Sequence, residues 1–456
     1  MPGNLSFESL KKAAADGTID TVVAVIVDMQ GRLMGKRFHA QHFIDSAYDE
    51  THCCNYLLAT DVEMATPDGY ASSSWSTGYG DYIMKPDLAT LRLTPWAPGA
   101  AMVLCDVIDH ATHKDVPHSP RAILKAQIAR LDAMGLRCSA ATELEFFVFR
   151  ETYEQARDKD YQSLTPSGPY NEDYHIFQTA KEEGLMRPLR NQLFAAGVPV
   201  ECTKGEAEAG QAELNIRYSD ALDMADNHSI AKHACKEIAL SAGCSVSFLA
   251  KTHEDHTGSA SHIHQSLRTT DGSAAFFDES AEHGMSDLMK HYLAGQLTYA
   301  PDITVLLAPY VNSYKRFSAG TFAPTNIVWS VDNRTACYRI VAPNSDNVRI
   351  ECRTGGADLN PYLAMAAQIA AGIAGIEQRL ALEDVFNGDA YALDKASAKI
   401  PATLRDATLS LEQSTMLRQA MGDDVVDHYV RAARWEQQEF DRVVTQYEVQ
   451  RGFERA

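Results

Sequence analysis

The chain has 456 residues, 45% hydrophobic and 22% charged, which is the composition of an ordinary folded protein with room for one large core. A formal net charge of −20 excludes nucleic acid or an anionic membrane as the main partner. The first ten residues carry no basic n-region and no apolar h-region, no apolar run reaches membrane-spanning length, and the nine cysteines follow no metal-site or disulfide spacing. A reduced, cytoplasmic chain is the reading.

In chain order, a short helix is expected over 5–16, then two strands, 20–28 and 31–39, joined as a hairpin at Gln30-Gly31. Residues 50–118 are turn-rich, with strands expected at 90–93 and 101–107. At His118-Ser119-Pro120-Arg121 an N-cap serine precedes an N1 proline, and a helix follows to Gly135. Beyond it the pattern mixes strand (139–149, 245–252, 261–268) with helix (177–196, 220–243, 285–300, 360–380). The last amphipathic run is 424–447. Two domains are expected, 1–116 and 117–456.

Three of these segments place titratable groups on one strand face and apolar groups on the other. In Gly258–Leu267, His262 and His264 project together. In Thr142–Phe149, Glu143 and Glu145 fall on the face shared with Phe147 and Phe149. In Val348–Arg353, Arg349 and Arg353 flank Glu351. Paired carboxylates on a buried strand need a cation, a shared proton or full solvation, so a metal site and a solvated face both stay open. The acidic stretch 205–213 adds Glu206, Glu208 and Glu213. Carboxylates with an occasional imidazole suit Mg2+ or Mn2+ better than Zn2+. Arg316, Arg334, Arg339, Arg349 and Arg353 supply forked donors for phosphate or carboxylate, and no P-loop motif is present. Acidic cages beside an arginine cluster point to phosphoryl transfer from a nucleotide.

Together these segments resemble the type I glutamine synthetase superfamily through nearly the whole chain. The resemblance implies an α+β fold: a β-grasp-like N-terminal domain, then a larger catalytic domain whose curved antiparallel sheet is flanked by helices, as in the glutamine synthetase/guanidino kinase class. It implies ATP and two or three Mg2+ or Mn2+ ions per site. By motif, Glu145, Glu206 and Glu213 would hold the first ion, with Glu206 preferred to Glu208 for its spacing to Glu213. Glu143, His262 and Glu351 would hold the second. Tyr218, His264, Ser266, Arg339 and Arg349 fall where the family contacts ATP. Gly258, Arg316 and Arg353, with Glu145, fall where it holds L-glutamate, and Arg334 where it stabilises the phosphoryl group in flight. The family makes γ-glutamyl phosphate and displaces phosphate with an amine nitrogen.

The departures carry the specificity. Ammonia-using members place a flap glutamate six residues after the arginine matched by Arg316; here Phe322 stands there. Their N-terminal Asp-Gly-Ser-Ser turn has no acid at the matching place in Gly69–Trp75, and their asparagine before the matched glycine is Thr257. These changes imply a γ-glutamylamide synthetase using an organic primary amine (alkyl-, aryl- or polyamine), with Phe322, Trp75 and Tyr79 favouring apolar carbon. The alternatives are an ammonia-dependent glutamine synthetase and a non-catalytic structural or sensing relative. Tyr391 lies near a tyrosine that some members adenylylate, but lacks the usual context. The resemblance also implies a homododecamer of two hexameric rings, each site shared with a neighbour's Ser72–Tyr79 region.

Overall fold

The computed structural model describes residues 3–393 and 398–456. Residues 1 and 2, with which the expected domain 1–116 begins, lie outside the described residues.

After the helix Phe7–Ala15, capped by Ser6, come β1 (Thr21–Val27) and β2 (Leu33–His39). They form the expected antiparallel hairpin, closed by Val27 opposite Leu33. The turn is tied by the Asp28 carboxylate, which accepts from the Gln30 and Arg32 amides. With β3 (Thr51–Cys54), β4 (Asp81–Pro86), β5 (Arg92–Leu93) and β6 (Ala100–Asp109), they make a six-stranded sheet ordered β2-β1-β6-β4-β3, with β5 on β6. The strand expected at 90–93 is mostly absent. The Asp87 side chain accepts from the Ala89 amide and caps a 3-10 turn over Leu88–Thr90, leaving only Arg92–Leu93 to pair.

β1 is apolar on both faces because both are covered. Val22, Ala24 and Ile26 pack with Leu10 in a small core of their own, while Val25 and Val27 join the main core. Arg121, 3% exposed in the helix Pro120–Ala133, clamps the two halves by donating to Asp87, Asp106 and Asp226. From the helix Asp423–Asp441, His428 reaches the Leu58 carbonyl and Trp435 donates to Asp61.

The second sheet has eight strands: β7 (Leu136–Phe149), β8 (Val200–Gly205), β9 (Gln211–Asp220), β10 (Ser245–Ser247), β11 (Ser261–Thr269), β12 (Trp329–Val331), β13 (Tyr338–Val341) and β14 (Arg349–Cys352). Their order is β12-β13-β14-β11-β7-β9-β8, with β10 on β7; every pairing is antiparallel except β12 with β13. Helices Ala221–Ser241, Asp287–Thr298 and Pro361–Gln378 contribute their buried faces to the main core with Leu144, Phe146, Ile263 and Ile350. The strand expected over 245–252 ends at Ser247. Beyond it, Asn312 replaces a ladder partner, accepting from the Lys251 amide and donating to its carbonyl. The segment expected as loop at 151–174 contains a short helix, Tyr153–Asp158, closed by a Thr152/Gln155 capping box. Among the described residues no helix is long and apolar enough to cross a membrane, and all nine cysteines are free thiols.

Candidate active site

Strand register draws the charged residues into one band. Glu145 on β7 lies opposite Glu213 on β9, and Glu143 opposite His262 on β11. His264 lies opposite Glu351 on β14, and Glu351 opposite Arg339 on β13. Alternation sends the intervening Leu144, Ile263 and Ile350 into the core, so the polar face of these strands is the floor of the site.

Two groups of metal-ligating atoms result, each gathered within 4.8 Å: Glu145, Glu206 and Glu213; and Glu143, His264 and Glu351. The first is the set that the motifs assign. Glu208, the rejected alternative, is engaged elsewhere, accepting from the Thr257 amide. In the second, the grouped imidazole is His264 where the resemblance assigns His262. The His262 ring also sits between the carboxylates, with Nδ1 3.0 Å from Glu143 and 3.6 Å from Glu351, while His264 Nε2 is 3.0 Å from Glu143. Both imidazoles thus lie against the Glu143 carboxylate.

The electrostatics divide the two groups. Burial, reinforced by Glu206, pushes the Glu145 carboxyl up to about 8; burial, Glu143 and Glu145 push Glu213 up to about 9. These carboxylates lack sufficient positive charge, which is the state that a divalent cation relieves. In the second group the balance reverses. Burial opposes ionisation of Glu351, but Arg353 and the two histidines outweigh it and hold the carboxyl at about 2. Hydrogen bonds from His262 and His264 likewise overcome burial at Glu143 and hold it well below the usual carboxylate range.

Two cavities meet at Glu143, which lines both. One, of about 280 Å³, is lined by Tyr218, His264, Ser266 and Arg349. The other, of about 270 Å³, is lined by the carboxylates of both groups and by His262, Gly258, Arg316, Phe322, Arg334, Arg339 and Arg353. Of the five residues assigned to ATP, four therefore line the first cavity. Arg339 faces the second, bridging Asp332 and Glu351.

Arg316 is 2% exposed, its Nη2 donating to the carbonyls of Arg353, Thr354 and Gly355, while its Nε has no partner among the described residues. Arg353 donates to Glu351 at 2.5 Å and to the Phe322 carbonyl at 3.3 Å, and its Nε is also unpartnered. Buried guanidinium donors without acceptors mark a place for an anionic ligand. Gly258 lets Arg316 pass: a Cβ there would lie 2.5 Å from the Arg316 Cγ.

Phe322 sits at the mouth, 55% exposed and in the left-handed region at φ 58°. Its backbone is held by Arg353, and the next carbonyl, Ala323, accepts from the Tyr391 hydroxyl at 2.9 Å. Tyr391 thus anchors the loop. Trp75 (76% exposed) and Tyr79 pack edge to face at 5.0 Å and line neither cavity of their own chain.

Sequence reasoning missed Lys204, Asp173 and Tyr174. The Lys204 ammonium pairs with Glu206, lies 3.6 Å from Asp173 and 4.6 Å from the centre of the Tyr174 ring. Their place comes from strand register: the strand over Val200–Gly205 sets Lys204 opposite Glu213.

A family model described as the catalytic domain of glutamine synthetase matches residues 117–452. The chain belongs to the glutamine synthetase family. It is 47% identical to the gamma-glutamylethanolamide synthetase GlnA4 of Streptomyces coelicolor over 452 residues, covering 99% of this chain and 96% of that protein. It is 33% identical to the glutamate–isopropylamine ligase of a Pseudomonas species over 435 residues, 95% of each. The solved structure "GmaS/ADP complex-Conformation 1" superposes with a TM-score of 0.84 at 25% identity, covering 97% of this chain and 99% of that one.

Proposed function

We propose that this protein is an ATP-dependent ligase that joins the γ-carboxylate of L-glutamate to an organic primary amine. The observation that carries this reading is the mouth of the arginine-lined cavity, where Phe322 stands in place of the flap acid of ammonia users while both carboxylate groups are complete.

The donor set fits divalent cations: hard carboxylate oxygens with one imidazole, two of the carboxylates buried and short of positive charge. Glu145, Glu206 and Glu213 would hold one ion, and Glu143 and Glu351 with His262 or His264 another. When bound, Mg2+ or Mn2+ would neutralise phosphate charge and orient the terminal phosphate. ATP is read into the cavity of Tyr218, His264, Ser266 and Arg349, and glutamate into the cavity of Gly258, Arg316 and Arg353. Glu143, common to both, marks where the γ-phosphate and the γ-carboxylate meet. A carboxylate is a poor electrophile, and its phosphorylation supplies a leaving group. Arg334, on the wall of the same cavity, stabilises charge on the transferring group, with Arg339 held beside it by Asp332 and Glu351. An amine that arrives as an ammonium first gives a proton to solvent. Its nitrogen lone pair then attacks the carbonyl carbon of the acyl phosphate, phosphate leaves with the C–O bond, and the nitrogen's second proton passes to solvent.

A phenyl ring neither attracts NH4+ nor takes its proton, but it covers the carbon of a larger amine. Phe322→Glu is therefore expected to raise kcat/KM for ammonia at least about tenfold, one charge-assisted hydrogen bond, and to lower it for ethanolamine and isopropylamine. A variant with unchanged nucleophile preference would show that Phe322 does not set it. We extend the reading to assembly: a homododecamer of two hexameric rings, in which Trp75 and Tyr79 of one copy cover the Phe322 mouth of the next.

A further inference from the structure

The two metal-type groups are built differently. Glu143, His264 and Glu351 stand on β7, β11 and β14, and Glu145 and Glu213 face each other across the β7–β9 ladder. Strand pairing places all of these. Glu206 is the exception. It lies in the loop 206–210 between β8 and β9, beyond their last ladder pair, Gly205 with Ala212. Its carboxylate is held within the hairpin by Lys204 and by the Ala207 amide at 3.1 Å. The loop itself is held from outside.

That hold comes from the segment 166–172. Glu172 is 0% exposed; its carboxylate accepts from the Gly210 amide at 2.7 Å, and its own amide donates to the Glu206 carbonyl at 3.2 Å. One residue thus grips both ends of the loop. Beside it, Asn171 bridges to Ala209, and its Nδ2 donates to the Ala207 carbonyl at 3.0 Å. The fit leaves no slack. A Cβ at Gly205 would lie 2.5 Å from the Glu172 carbonyl oxygen, and one at Gly210 would lie 2.9 Å from the Pro166 Cβ. From behind, Glu182 hydrogen-bonds to Glu172 and accepts from the Ser167 hydroxyl. Glu172 lines neither cavity of the site, so whatever it contributes passes through the loop.

We propose that Glu172 is a positioning residue for the first cation site, holding the loop 206–210 so that Glu206 meets Glu145 and Glu213. The proposal rests on the reading of the two carboxylate groups as cation sites, and it sets them apart. The site that includes Glu206 depends on a loop and on Glu172. The site at Glu143 and Glu351 depends on neither.

The test is Mn2+ binding to the full-length, metal-stripped protein, followed without turnover by loss of the free-ion electron paramagnetic resonance signal. Wild type is expected to bind one Mn2+ at each group. Glu172→Ala is expected to weaken one of the two at least about tenfold, the usual cost of removing the support behind a metal ligand, and to leave the other within about twofold. Glu206→Ala marks which site that is, since the site it removes should be the one weakened. Glu172→Gln keeps an oxygen for the Gly210 amide and is expected to recover most of the loss. Asn171 is exposed, so Asn171→Ala serves where Glu172→Ala does not fold; it should weaken the same site about threefold, within the range of one hydrogen bond. Unchanged affinity at the Glu206 site in either alanine variant, or equal weakening of both sites, overturns the positioning role and leaves the ligase reading standing. A Glu172→Gln protein as weak as Glu172→Ala also overturns it, because the Gly210 hydrogen bond would then not matter. A wild type that binds no Mn2+ overturns the cation sites, and the positioning role with them.

Discussion

Glu351→Ala is expected to abolish turnover, by at least about a thousandfold, and to destabilise the fold by about 3–5 kcal/mol. The carboxylate is 0% exposed and takes Arg353 Nη1 at 2.5 Å on one oxygen and Arg339 Nη1 at 2.9 Å on the other, with His262 3.6 Å away. Removing it leaves the buried Arg353 without a carboxylate, while Arg339 keeps only Asp332, and an uncompensated buried charge is far costlier than the intact pair is favourable. The functional loss has a separate cause. Arg353 also holds the Phe322 carbonyl, so freeing its guanidinium loosens the flap as well as the second cation site. Urea unfolding gives the first effect and ADP release the second. An active Glu351→Ala enzyme would show that Glu351 does not serve the cation site.

Gly258→Ala is expected to lower kcat/KM for glutamate about a hundredfold, the usual cost of misplacing a binding group by roughly an ångström. The added Cβ would lie 2.5 Å from the Ala250 carbonyl oxygen and 2.5 Å from the Arg316 Cγ. The carbonyl is backbone and cannot yield, so Arg316 moves. It carries three backbone carbonyls on Nη2, and each is displaced with it. The loss should appear in the glutamate KM while the ATP KM holds, since Tyr218, Ser266 and Arg349 line the other cavity. An equal rise in both would place the damage in the fold and not in Arg316.

The faces of the site strands were legible because a period of two leaves no choice. Once Ile263 and Ile350 are in the core, His262, His264, Arg349 and Glu351 share the opposite side. Which strands adjoin was not legible from alternation, since β7 meets β11 across more than a hundred residues and β14 lies further still; only the motif resemblance joined them. The same limit explains the second acidic group: His262 and His264 are equivalent in sequence, and the register that sets His264 opposite Glu351 is non-local. Lys204 was not legible because Val200–Gly205 has no sustained apolar alternation, and Asp173 because a polar loop gives no periodicity from which to place a side chain. Thr90 failed for a local reason, since the Asp87 cap competes with the strand.

The central claim is that glutamate is ligated to an organic amine. Phosphate release from ATP, with glutamate and Mg2+ present, tests it most directly when ammonia, methylamine, isopropylamine, ethanolamine, putrescine and aniline are supplied in turn. Release with one or more of the organic amines and little with ammonia is the expected result. Release with ammonia alone would contradict it and make this chain an ammonia-dependent glutamine synthetase that works without the flap carboxylate.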